Sequence, residues 1–264
     1  MMIKYTPIPV LFQIAGIKIY SHIFMISLAL LVFYILVRRE LVDLRRKDNK
    51  IRLHLSHIDE MLLWTILGSI ITARLGYIVL HPQGFSNLLD VLRIWDGGML
   101  IYSGILGGLI FAFAYTKAKN IDFFEVMDLS APYIALSFAI GRIGCFLNWD
   151  AYGKASEFLF AVWVNGVPYH ATQIYLVIGN LAVFFILTAI KKKAGGFLKK
   201  KGNLFFLFLL FYAALNFIVD FFRIYPKREF LAGLSISHLA SILLVFISLS
   251  ALITRNRKIK YSNR

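Results

Sequence analysis

A single cysteine, Cys145, stands among 264 residues, so no disulfide is expected within the chain, and no Cys and His spacing resembles a zinc site. Charge is scarce as well, at 16% of residues against 59% hydrophobic. That balance excludes ordinary soluble composition and points to a polytopic membrane protein. Heptads, sustained low-complexity tracts and internal repeats are missing, which argues against a transporter built from inverted halves. The net charge of +15 comes without a basic face interleaved with aromatics, so no nucleic acid is expected as a partner.

What is present is a series of long apolar runs. Seven, near 20–37, 61–80, 99–116, 126–140, 171–190, 204–222 and 235–254, have the length a bilayer demands, the fourth being short. They predict an all-α fold of about seven transmembrane helices. The runs are too continuous for a separate soluble module, so residues 1–264 read as one membrane domain. The first run ends at charge in "LALLVFYILVRRE" and is expected to stay as a span rather than be cleaved. Of 29 Lys and Arg, 20 fall in the connections 38–60, 117–125, 191–203 and the tail, and eight in the opposite set. This bias places the N-terminus outside and the C-terminus in the cytoplasm. "KKKAGGFLKKK" (191–201) then faces anionic head groups of membrane lipids. Segment 38–60 reads as a solvated helical connector, 81–98 as an interfacial helix, and Asn165, Gly166 and Pro168 as turn residues.

Polar groups within or beside lipid are costly, so each is a functional candidate. Arg74, in "TARLGYIVLHP", either snorkels or pairs locally, or else holds an anionic ligand. In "GRIGCFLNWDAYG" the three-residue spacings make one helix face small and the other polar, if the fourth helix continues there. Arg142 and Asp150 then either pair structurally or present a guanidinium fork to a phosphate. Asp220 and Arg223, spaced i, i+3, share a helix face and suit a local ion pair. Tyr102, among glycines in "GGMLIYSGILGG", is an interfacial anchor or a hydrogen-bond donor to lipid phosphate.

Together these stretches resemble the prolipoprotein diacylglyceryl transferase family of the bacterial inner membrane. The family pattern near "GRxGNFxNxExxG" is similar to Gly141, Arg142, Gly144, Phe146, Asn148, Asp150 and Gly153. Further likenesses are "ARLGYIVLHP" (73–82), "WDGGM" (95–99), "HATQIY" (170–175) and "IVDFFR" (218–223). The resemblance implies transfer of diacylglycerol from phosphatidylglycerol to the lipobox cysteine thiol of lipoprotein precursors, with no cofactor and no metal. It implies catalytic roles for Tyr102, Arg142 and Asp220, and substrate binding by Tyr20, Arg74, Asn148, Asp150, Gly153 and Arg223. The acceptor brings the thiol, so Cys145 is not expected to be a nucleophile. Departures are Tyr102 for the family's His, Cys145 for an Asn, Asp150 for the Glu and Asn216 for an Arg. Tyrosine replaces imidazole poorly as a base near pH 7, which makes His22 and His238 candidate substitutes. A related transferase with another acceptor, or a non-catalytic lipid-binding paralogue, are the competing readings.

Overall fold

A computed structural model of the chain describes residues 3–14, 16–48, 51–84, 87–93, 97–158, 161–193, 200–225, 230–231 and 234–262. Among the described residues seven helices are long and apolar enough to cross a membrane: α1 (Ser21–Lys47), α2 (Leu55–Leu80), α4 (Ile101–Ala118), α5 (Phe123–Asn148), α6 (Thr172–Lys192), α7 (Asn203–Asp220) and α8 (Ile236–Ser262). They match the seven apolar runs one for one, and the fold is all-α. Short strands β1 (Ile3–Lys4), β2 (Val10–Ile14), β3 (Ile17–Tyr20), β4 (Val162–Val164), β5 (Val167–Tyr169), β6 (Phe230–Leu231) and β7 (Leu234–Ser235) lie between or before helices. Strand order is β1-β4-β5 in one sheet, with β2-β3 and β6-β7 as hairpins.

The helices divide between two compact units, residues 38–126 in one and 1–37 with 127–264 in the other. In the first, α2 packs along α4. Glycines make that approach possible, since a Cβ at Gly104 would already stand 3.2 Å from the Ala73 Cβ and one at Gly107 or Gly108 would overlap Thr72 or Ser69. Arg74 is buried there, and its fork reaches the backbone: Nε donates to Val91 O (2.9 Å), Nη1 to Gly97 O (2.6 Å) and Gly98 O (3.1 Å), Nη2 to Asp90 O (2.5 Å) and Arg93 O (3.1 Å). These bonds explain why the expected interfacial helix of 81–98 shrinks to a 3₁₀ turn, Pro82–Gly84, and α3 (Leu88–Leu92). The Asp90 and Val91 carbonyls that a longer helix would use point to the guanidinium instead. Trp95 and Asp96 of "WDGGM" lie outside the described residues.

In the other unit α7 packs against both α6 and α8. The fourth span is not short, as α5 runs 26 residues, to Asn148, with Pro132 inside it. The apolar run breaks at Gly141, yet the helix continues because Gly144 fits tightly against α1. A Cβ there would stand 2.9 Å from Met25 Cβ and 3.3 Å from His22 Cα. The turn foreseen at residues 165–168 is the two-residue loop Asn165–Gly166 between β4 and β5, with φ of 51° and 82°, the geometry of a type I′ hairpin.

Candidate active site

The last turn of α5 sets the site. The Trp149 N–H donates to Phe146 O (3.0 Å) and the Asp150 N–H to Cys145 O (3.0 Å), with Trp149 at φ 57°. This pair of bonds and a left-handed residue is a Schellman ending. A bulky residue in that conformation costs on the order of 1–2 kcal/mol, which ring contacts of about 0.5–1.5 kcal/mol each offset. Trp149 stacks on Tyr152 at 5.5 Å and meets Tyr5 at 5.6 Å and Phe146 at 5.8 Å. The Tyr5 hydroxyl shares its proton between Phe146 O and Leu147 O, a further bond to the last carbonyls of the helix.

The chain therefore turns back on itself after Asn148. The Asn148 amide donates to Asp150 Oδ2 (2.8 Å), and His22 Nδ1 from α1 lies 3.9 Å from the same oxygen and 4.0 Å from Cys145 Sγ. The buried Gln173 holds the Asp150 carbonyl (2.8 Å) and Thr172 the Ala151 carbonyl (2.7 Å), so the start of α6 fixes the loop. Arg142 is half-buried on α5 and bears on the Cys145 thiol. Among the described residues Arg142 forms no ion pair, so the local pairing with Asp150 considered above is absent and Asp150 turns to His22 and Asn148.

Gly153 joins this loop to α7. It bridges to Arg223, its N–H donates to His170 O (2.8 Å), and the Lys154 N–H donates to Phe222 O (2.8 Å). His170 contacts Tyr175 OH at 3.0 Å, and burial, aided by the charge of Lys154, pushes its basicity down.

Asp220, fully buried at the end of α7, accepts from Arg223 Nη1 (3.0 Å), Tyr225 OH (2.7 Å) and Ser237 Oγ. The expected i, i+3 pair is thus present, inside a larger network. Burial works against the Arg223 charge, but Tyr225 and Asp220 outweigh it and raise the guanidinium above its ordinary value. Its Nε and Nη2 are buried with no hydrogen-bond partner among the described residues. A buried donor left so costs about 1–3 kcal/mol, more when charged. Two donors of the fork are therefore left without an acceptor among the described residues.

Tyr20 ends β3, about half exposed, next to His22. Tyr102 lies in the first turn of α4, 55% exposed, and Arg74 on α2, both in the unit of residues 38–126. Asn216, which stands where the resemblance leads one to expect arginine, donates back to Tyr212 O (2.9 Å) within α7. His238 has its Nδ1 against Ser235 Oγ (2.6 Å) and its ring beside Phe217 and Phe221. Gln173, His170, Tyr225 and Ser237 were not singled out in the sequence. Only "HATQIY" held a signal, for the first two.

A sequence profile of prolipoprotein diacylglyceryl transferases matches residues 9–254. The phosphatidylglycerol–prolipoprotein diacylglyceryl transferase of Clostridium tetani is 33% identical over 248 residues, covering 91% of this chain and 95% of its own. The protein of that name from Staphylococcus aureus strain Newman is 30% identical over 267 residues, covering 96% of this chain and 90% of its own.

Proposed function

The chain belongs to the prolipoprotein diacylglyceryl transferase family, and we propose that it moves the diacylglyceryl group of phosphatidylglycerol onto the lipobox cysteine thiol of lipoprotein precursors. It is a multi-pass protein of the bacterial membrane. The observation that carries the proposal is the buried Arg223 fork with two unpartnered donors, on the segment bridged to the loop after α5, together with Arg142 on α5, which among the described residues has no carboxylate partner. An anionic ester with a phosphate head satisfies both. The family match runs through both compact units, which supports reading residues 1–264 as one transferase domain. The charge bias supports an N-terminus outside and a C-terminus in the cytoplasm.

In the proposed reaction the acceptor thiolate attacks the glyceryl carbon that bears the phosphate ester. A carbon–sulfur bond forms as the carbon–oxygen bond breaks, and the electron pair leaves on glycerol phosphate. Arg142 and Arg223 stabilise the charge that grows on the departing oxygens. Asp220 holds the Arg223 fork in place, Asn148 and Asp150 orient the head group, and Gly153 and Tyr20 shape its cradle. Arg74 acts through the loop it anchors. Tyr102 is the proposed acceptor of the thiol proton. A second reading gives that proton to His22, favoured by its place within ion-pair distance of Asp150, whose negative charge would steady the imidazolium that forms. His238 is less suited, with its ring 4% exposed between two phenylalanines.

The test is transfer from labelled phosphatidylglycerol to a lipobox peptide by the purified protein, with release of glycerol phosphate followed in parallel. Arg142→Ala is expected to abolish both signals, and Arg257→Ala in the tail to keep them. Equal rates for the two variants would show Arg142 to be structural and remove the phosphate site from the argument.

A further inference from the structure

Three side chains of different chemistry meet where α1 touches α5. Gly144 lets the backbones close, which sets His22 beside the next residue, Cys145. The Schellman ending then folds Asp150 back over Cys145 O. As a result His22 Nδ1, Cys145 Sγ and an Asp150 carboxylate oxygen all lie within 4.8 Å of one another. At 3.9 and 4.0 Å the His22 contacts are too long for good hydrogen bonds, so His22 is the least tightly held of the three, while Asp150 accepts from Asn148 at 2.8 Å.

We propose that His22, Cys145 and Asp150 form a binding site for a borderline-soft divalent cation of the zinc type, leaving a fourth position open. A thiolate, an imidazole and a carboxylate are the donors zinc takes, and three protein ligands with one open place are a familiar arrangement for it. With bonds of about 2.0–2.3 Å, tetrahedral ligand atoms sit about 3.3–3.8 Å apart. The trio therefore needs to contract by no more than about 1.5 Å, which side-chain rotation supplies, because His22 and Asp150 are 40% and 42% exposed. The Asn148 amide already orients the carboxylate through Oδ2, as outer partners of metal ligands do. Binding displaces the thiol proton, which leaves to solvent. The site stands on these three residues, and its metal affinity does not depend on the transfer reaction.

Cobalt(II), which mimics zinc and reports sulfur ligation by a charge-transfer band in the near ultraviolet, is the probe. Full-length protein in detergent, with His54→Ala and His57→Ala introduced to remove a separate histidine pair, is titrated with cobalt and then with zinc. The expected result is a saturable band at one cobalt per chain, displaced by zinc, lost in Cys145→Ser and shifted to at least about tenfold weaker binding in His22→Ala and Asp150→Ala. No band in the protein with all three ligands intact overturns the proposal without recourse to any variant of the trio. A band that His22→Ala and Asp150→Ala leave unchanged overturns it too, as it would reduce the site to one exposed thiol.

Discussion

Replacing Gly153 by alanine tests whether the loop after α5 and the end of α7 must touch for transfer to occur. The new Cβ would stand 2.6 Å from the Phe222 carbonyl oxygen, 2.6 Å from His170 Cβ and 2.8 Å from the His170 oxygen, where ordinary contact starts near 3.4 Å. Two of the three obstacles are backbone, so no side chain can swing away, and the strands must part by about 0.8 Å. That movement strains two 2.8 Å hydrogen bonds, Gly153 N–H to His170 O and Lys154 N–H to Phe222 O. At about 1 kcal/mol net for each, with about 1–3 kcal/mol of overpacking, the cost is roughly 3–5 kcal/mol. The same shift carries Arg223 away from the loop, and a misplacement near 1 Å costs about 100-fold in rate. Steady-state transfer to a lipobox peptide, read beside thermal unfolding in detergent, measures both. Gly153→Ala is expected to lower kcat about 100-fold and to lower the unfolding temperature. A variant that transfers at the original rate with an unchanged unfolding temperature would refute the idea that this contact positions Arg223.

Arg223→Lys keeps a charge for Asp220 but loses the fork, so transfer should fall about 100- to 1000-fold with little change in unfolding temperature; a rate within twofold would mean the open Nε and Nη2 bind nothing that matters. Tyr102→Phe should slow transfer about 100-fold or more, the contribution of a positioned proton acceptor. Full activity at every pH would pass the base role to His22, whose alanine variant is the next to measure. His170 is held below its ordinary value of about 6.5, so the folded state binds fewer protons than the unfolded one as pH drops through that range. Stability is therefore complete above about pH 7 and lost on acidification, and His170→Asn should flatten the fall in unfolding temperature between pH 7 and 5. An identical fall in both proteins would assign the acid sensitivity to another group.

Hydropathy made all seven helices legible, and the spacing of Asp220 and Arg223 correctly indicated their ion pair. The continuation of α5 through "GRIGCFLN" escaped it, because tight packing at Gly144 and the bonds of the Schellman ending extend the helix where the apolar pattern stops. Strands of two to five residues, such as β1 against β4, leave too few alternating positions to recognise. The bridge from Gly153 to Arg223 and the bonds of Tyr225 and Ser237 to Asp220 depend on how distant segments meet, which no local pattern encodes. Arg74 was ambiguous for the same reason, as its carbonyl partners lie 16 to 24 residues further along.

Those carbonyls also bear on how the protein enters the membrane. Synthesis delivers Arg74 before residues 90–98 exist, so α2 first meets lipid carrying a guanidinium with no acceptor, a penalty of up to about 3 kcal/mol. The helix gains its acceptors only after the following segment has emerged. Insertion of α2 therefore waits on its own downstream neighbour, and α2, the 90–98 segment and α4 enter as a hairpin rather than as successive spans. A nascent chain truncated before Asp90 should hold α2 less firmly in the bilayer than one extended past Gly98.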